Sequence, residues 1–421
     1  MSSIGTKFKN IRKQKKLTQA ELAEGLVNRS YISQIEKGTV VPSYKTVVLL
    51  AERLGESVSY FVENQEIELF SITDLQKKIK SAQVHLELND INKMKKIIFE
   101  IKVEDLFKLD EHEKGLYYCM LGEIFLFQEE WQESINYLMT GKTCIENSED
   151  ERTLIKCLNS LSKALMNIGN IEEALEVLNE ANDLVIKNQF NDVLKIEVLL
   201  NLAVCHGRIG EFRSAIRSCK EAVSINQMTN NNYKSGEIFM TLGICYKKSG
   251  DLNKAKEFYL KAVSFFEIFE SNYNKAGTLI NLGILFRERQ EYNTAINYIE
   301  EAKEIFQELE DQYQVSNCLV EIVRTYVSLK KFFEAKELSF KTLKVMGEDF
   351  PPLRKQIYEL LSDISLNKSE LKCALSYLSK AEELIQTNPD YNLMVKKARI
   401  YLELKEYKVA AELFESSMAY K

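Results

Sequence analysis

The chain reads as all-α: an N-terminal helix-turn-helix bundle followed by a right-handed superhelix of about nine helical hairpins. Three observations predict this. Only 4 Pro and 16 Gly interrupt 421 residues, whereas strands need frequent turns. Residues 17–38 hold two short helical patterns with a tight turn between them. From about residue 73 onward, a pattern of apolar and small residues returns roughly every 40 residues.

A chain this long exceeds one ordinary core. Its 45% hydrophobic and 28% charged residues suit a soluble folded protein. The eight cysteines form no CxxC pair, so they read as reduced, mostly buried thiols. No apolar run approaches the ~18 residues of a membrane span. The basic N-terminus lacks the apolar stretch of a signal peptide, so the expected location is the cytoplasm. Charge is uneven: residues 1–64 carry ten Lys/Arg against six Asp/Glu, and the rest is acidic. A basic head on an acidic body suits a polyanionic partner.

The head is built from LTQAELAEGLVNRSYISQIEKG, residues 17–38. Thr18 with Glu21 makes a capping box, and Leu22, Ala23 and Leu26 give the first helix an apolar face. Asn28 caps the second helix and Gly38 ends it. Ile32 and Ile35 face inward, so Arg29, Ser30, Ser33 and Gln34 face outward. Arg suits guanine and Gln suits adenine. Gln19 and Lys37 are placed to bond phosphates, with Lys7, Lys9, Arg12, Lys13, Lys15 and Lys16 adding charge nearby. A further helix follows Pro42-Ser43, with Gly55 as its stop and Phe61 closing the bundle. In its TQ-x-ELA…YIS-x-IE-x-G…P pattern, residues 1–64 resemble the Cro/C1-type (XRE) helix-turn-helix family. The segment between ELAE and YIS is one residue shorter than the commonest form. The resemblance implies binding to double-stranded DNA, as a dimer with half-sites ~34 Å apart.

Three later segments align: NLAVCHGRIGEFRSAIRSCKEAV from 201, TLGICYKKSGDLNKAKEFYLKAV from 241 and NLGILFRERQEYNTAINYIEEAK from 281. Their small residues Ala215, Ala255 and Ala295 let two helices approach closely. The frame extends up to Ala174, Ser134 and Lys95, and down to Ala335, Ala374 and Ala410. Pro351-Pro352 and Pro389 are expected at the ends of second helices. The hairpins resemble tetratricopeptide repeats, with a longer period than their ~34 residues. First helices of such repeats face inward. The inward polar residues are Lys156, Asn159, Lys163, Asn201, Glu237, Asn281, Arg287, Asn317 and Arg324. Asn can bond a peptide amide and carbonyl together, and Lys or Arg can take a carboxylate. The alternative is ordinary polar residues on solvated helix faces.

The expected organisation is therefore a helix-turn-helix domain over 1–64, a linker over 65–72, and a peptide-binding and dimerising repeat domain over 73–421. This arrangement is similar to the peptide-sensing RRNPP regulators of Gram-positive bacteria. It is most like their NprR type and also similar to PlcR. The resemblance implies a short signalling oligopeptide as ligand and a homodimer or higher homo-oligomer. It also admits a response regulator as second partner, by likeness to the Rap proteins. No cofactor or metal is expected. The histidines are only His85, His112 and His206, with no HExxH and no P-loop, so the chain does not read as an enzyme. His206 sits at an aromatic position of its repeat and reads as packing. Two rivals remain: an adaptor that binds a folded partner, and a constitutive dimeric repressor.

Overall fold

The computed structural model describes residues 4–61, 64–384 and 390–418, with side chains from residue 72 onward in the second span. Pro389 lies outside them. Among the described residues the secondary structure is helical throughout. The head holds α1 (Ile4–Gln14), α2 (Gln19–Ala23), α3 (Arg29–Glu36), α4 (Tyr44–Leu54) and α5 (Val58–Phe61). Thr18 Oγ1 accepts from Glu21 N at 3.2 Å and Glu21 Oε2 accepts from Thr18 N at 2.6 Å, the reciprocal capping box that starts α2. Asn28 Oδ1 starts α3 by accepting from Tyr31 N at 2.7 Å. Gly38 (φ +73°) and Gly55 (φ +62°) stop α3 and α4 in the left-handed region.

Phe8, Leu22, Ile32, Ile35, Leu50, Leu54 and Phe61 form the head's buried core. Phe61 closes it by stacking on Phe8, with ring centroids 4.2 Å apart. A Cβ on Gly5 would lie 1.9 Å from the Ile35 carbonyl oxygen. Glycine is therefore what lets α1 rest on the backbone of α3.

The segment 65–72 is helix rather than a separate linker. It belongs to α6 (Asn64–Glu87), because NQEIELFSITDL contains no Pro or Gly to stop a helix. By internal contacts the chain forms two compact units, residues 1–201 and 202–421.

Eighteen α-helices follow the head among the described residues, in nine consecutive pairs, with one 3-10 helix, Val103–Lys108, after the first pair. The first three are α6 with α7 (Ile91–Phe99), α8 (Glu111–Phe127) with α9 (Trp131–Ile145), and α10 (Glu151–Asn167) with α11 (Ile171–Lys187). Then come α12 (Val193–Arg208) with α13 (Phe212–Met228), α14 (Ser235–Lys248) with α15 (Leu252–Ile268), and α16 (Asn272–Glu288) with α17 (Tyr292–Glu308). The last are α18 (Gln312–Ser328) with α19 (Phe332–Met346), α20 (Pro351–Asn367) with α21 (Leu371–Glu383), and α22 (Tyr391–Glu403) with α23 (Tyr407–Met418).

Each hairpin turn holds one left-handed residue: Asn89, Glu129, Gly169, Gly210, Gly250, Gln290, Lys330, Ser369 and Lys405. The repeat is thus written in the backbone even where the turn residue is not glycine. The small-residue frame is buried at Ser134, Ala174, Ala215, Ala255, Ala295, Ala335, Ala374 and Ala410. In the first hairpin the buried position is Met94 and not Lys95, which is half-exposed. A cationic head cannot fill that dry position, and the flexible thioether can. Pro351 and Pro352 open α20 instead of closing a helix. Their missing N–H groups coincide with the unpaired first turn.

Tyr259 is fully buried, and its ring fills the space opposite Gly243. Its hydroxyl finds no hydrogen-bond partner among the described residues, a net cost. Tyr259→Phe should stabilise the 202–421 unit by about 1 kcal/mol, as slower amide exchange across α14 and α15. Faster exchange in the variant would show that the hydroxyl is paired.

Among the described residues, no helix is long and apolar enough to cross a membrane. No group of three metal-ligating side chains is found there either. All eight cysteines are free, and six are buried. Burial pushes the Cys205 and Cys245 thiols up to about 11 and, with smaller charge effects, the Cys318 thiol up to about 12.

Candidate functional site

Helix α3 is the exposed edge of the head. With Ile32 and Ile35 buried, Arg29, Ser30, Gln34 and Lys37 are exposed and Ser33 is half-exposed. These five share one short helix and its C-cap. Beneath them lies an ion pair that periodicity does not reveal. Arg12 Nε lies 2.5 Å from Glu36 Oε1, and Arg12 Nη2 donates to Glu36 Oε2 at 2.9 Å. The two side chains keep 10% and 3% of their surface exposed, so this bidentate pair is buried. Arg12 Nη1 also donates to the Leu17 carbonyl at 2.7 Å.

Desolvation pushes the Glu36 carboxyl up, but the hydrogen bonds from Arg12 and Gln19 and the Arg12 charge outweigh it. The net pKa is below the ordinary value of 4.5. Gln19 is half-buried and donates its Nε2 to Glu36 Oε2 at 2.8 Å. One polar knot therefore ties α1, α2 and α3 together.

This changes the expected charge set. Arg12 is a buried structural cation. Lys7 donates to the Phe61 carbonyl at 3.2 Å, and Lys15 lies 3.7 Å from Glu56. Lys9, Lys13 and Lys16 remain exposed on the head's surface. Gln19 reaches any phosphate only with what its bond to Glu36 leaves over.

The predicted ligand residues fall in both units. In the 1–201 unit, Asn201 Nδ2 donates to Asn159 Oδ1 at 2.7 Å, and Asn159 Nδ2 donates to Glu197 Oε2 at 3.4 Å. Asn159 is buried while Asn201 is half-exposed. The amide ladder thus has one end open. Lys156 is exposed, 3.8 Å from Glu87. Half-buried Glu123 accepts from the Ser160 hydroxyl. Desolvation raises its carboxyl, and the nearby Lys163 and the Ser160 bond partly offset this.

In the 202–421 unit, Arg287 and Arg324 meet across Glu321. Asn317 donates to Gln314 at 3.2 Å. Asn281 is half-exposed, and its side-chain amide has no hydrogen-bond partner among the described residues. Glu237 lines a separate cavity of about 530 Å³ with Asn230, Tyr233, Phe265 and Phe269. Asn281, Arg287, Asn317 and Arg324 do not line that cavity. His206 is half-exposed, with Nδ1 2.8 Å from Glu211. Its ring is a hydrogen-bonding group at the hairpin turn rather than simple packing.

Sequence reasoning missed Glu123, Glu197, Glu321 and Gln356. The signal for Glu197, Glu321 and Gln356 was a polar residue 32 to 38 positions beyond a predicted partner, on the next first helix, whereas Glu123 lies 37 positions before Ser160, which was not predicted.

A helix-turn-helix family profile matches residues 8–61. Within the hairpins, the soluble NSF attachment protein family matches residues 208–344 and anaphase-promoting complex subunit 5 matches residues 153–236. The transcriptional activator NprA of Geobacillus stearothermophilus is 24% identical over 249 residues, which are 50% of this chain and 59% of that one. The chain therefore spans less than two thirds of that relative. The immunity repressor protein of Bacillus phage phi105 is 34% identical over 97 residues, 21% of this chain and 67% of the repressor.

The fold is similar to that of the quorum sensor NprR from B. thuringiensis in its apo form. The TM-score is 0.61 at 14% identity, covering 82% of this chain and 98% of that one. For NprR in complex with its cognate peptide NprX, the TM-score is 0.55 with the same identity and coverage. Through residues 8–61 the chain belongs to the helix-turn-helix family, and the tetratricopeptide-like hairpins behind that head share the fold of NprR.

Proposed function

We propose that the chain is a sequence-specific DNA-binding transcription regulator whose activity is set by a short oligopeptide held on the polar faces of its first helices. It is a cytoplasmic binding protein rather than an enzyme, and it reads DNA as a homodimer. The observation that carries the reading is the exposed row Arg29, Ser30, Ser33 and Gln34, presented on a helix clamped by Arg12 and Glu36. A helix so fixed can enter the major groove, with Lys37 and the remaining donors of Gln19 on phosphates. The activator NprA and the peptide complex of NprR support the two halves of the proposal.

The test is DNA selection by the full-length chain, with and without a pool of short synthetic peptides. A two-half-site motif whose enrichment changes with peptide is expected. A motif indifferent to every peptide would reduce the reading to a constitutive repressor, and no motif at all would favour a protein adaptor. Arg29→Ala should weaken the selected site by about 1–3 kcal/mol and relax one or two base positions. An unchanged motif would remove Arg29 from the readers.

Within the 202–421 unit, the unpartnered side-chain amide of Asn281 suits the backbone of an extended peptide, since an amide both donates and accepts. Asn281→Ala should weaken peptide retention by about 1–3 kcal/mol by leaving a peptide group unpaired. Equal retention by a folded variant would place Asn281 outside the site.

A further inference from the structure

On the 202–421 unit, α16, α18 and α20 bring together Arg287, Glu321, Arg324 and Gln356. Arg287 Nη1 lies 2.5 Å from Glu321 Oε2, with the two side chains 13% and 12% exposed. Arg324 Nε lies 3.2 Å from Glu321 Oε1, and Arg324 Nη2 donates to Gln356 Oε1 at 2.9 Å. One half-buried carboxylate is thus shared by two guanidinium groups. Lys247 on α14, with a side chain 12% exposed, lies 3.7 Å from Glu288. Burial holds its ammonium below the ordinary value, partly offset by Glu288. Three cations therefore meet two carboxylates across three successive first helices, and on the fourth, α20, Gln356 accepts from Arg324 while Asp363, paired with Lys396, feels its charge.

We propose that this recess is an anion seat for a carboxylate of the bound peptide, with Glu321 as its built-in competitor; the inference rests on the peptide-binding reading above. A guanidinium carries five N–H donors. Among the described residues, Nε and Nη2 of Arg287 and Nη1 of Arg324 have no protein acceptor. Partly desolvated guanidinium donors without acceptors favour an added anion. A planar carboxylate matches the fork of Arg. Arg324 is 37% exposed, so a ligand can reach it from solvent while Arg287 waits beneath. To engage both, the ligand must take Arg324 from Glu321 or share it. A neutral peptide leaves the internal pair closed. Glu321 thus lowers affinity for carboxylates while it keeps both guanidinium groups in position.

The test uses the full-length chain and a synthetic random heptapeptide pool in three forms: free acid, C-terminal amide, and with Asp and Glu replaced by Asn and Gln. Retention is read by affinity-selection mass spectrometry. Glu321→Gln should raise retention of carboxylate-bearing peptides about tenfold and leave neutral ones unchanged. Arg324→Gln should lower it by about tenfold, and its exposure makes this the variant that keeps its fold if Glu321→Gln does not. Loss confined to the amide pool assigns the seat to the C-terminus. Loss confined to the Asn/Gln pool assigns it to an acidic side chain. Retention that ignores carboxylates in wild type and variants would overturn the anion seat and leave the peptide reading standing. No retention of any pool by folded wild type would overturn both.

Discussion

Glu36→Ala is expected to destabilise the head by about 3–5 kcal/mol, because it leaves the Arg12 guanidinium buried without its partner. The cost is not the strength of the pair itself. An ion pair taken out of water returns little net stability, and an unpaired buried charge is what the fold cannot tolerate. Replacing both members with Met should therefore recover most of the loss. Amide exchange across α2 and α3 in the full-length chain measures it directly. Exchange no faster than wild type would mean that Arg12 reaches water freely.

The same pair gives the head a pH dependence. Glu36 is held below its ordinary value of 4.5, so in the native state it binds its proton only at lower pH than in the unfolded chain. Its contribution is fully present above about 4.5 and is lost as pH falls through the lowered native value. Glu36→Gln should flatten the acid limb of the head's stability curve. DNA affinity should fall with Glu36→Ala even at neutral pH, because Gln19 loses its anchor and α3 its tie to α1.

The contrast between Arg12 and Arg29 shows what the sequence makes legible. Helix periodicity placed Ile32 and Ile35 inward, and the outward row followed from it. Local rules likewise found the capping box at Thr18 and Glu21 and the left-handed stops at Gly38 and Gly55, since each depends on residues a few positions apart. Arg12 and Glu36 are 24 residues apart, and nothing local distinguishes a buried arginine from the exposed lysines beside it. The Ala frame was readable because a small residue at a close crossing has few substitutes. It failed at Met94, where the crossing accommodates a flexible side chain. The polar faces were half readable: Asn159, Asn201, Arg287 and Arg324 stood out as donors, while Glu197 and Glu321 looked like surface charge. Their partners lie on the preceding hairpin, a spacing that no single-helix pattern contains.

The hairpins also obey a rule of summed size, and it yields the second large effect. Gly122 faces Leu138, Gly243 faces Tyr259 and Gly283 faces Ile299, each pair 16 residues apart and each approach so close that an added Cβ would meet the partner at 2.4 Å. At the same register, buried Val323 and Ser339 reverse the order of large and small. What the packing fixes is the volume shared by the two helices and not the residue on either one. Ile299→Ala should cost about 2–5 kcal/mol by opening a cavity in a fully buried site. Gly283→Ala should cost about 1–3 kcal/mol by overpacking. The double variant should cost less than the sum, with about 0.5–3 kcal/mol of coupling, because the new methyl enters the space the isoleucine leaves. Amide exchange across α16 and α17 is the appropriate measure, since a repeat array need not unfold in one step. Additive costs would show that the glycine serves the helix backbone and not the crossing. Coupling of the expected sign would explain why the repeat tolerates so much change in sequence: each hairpin need only conserve a sum.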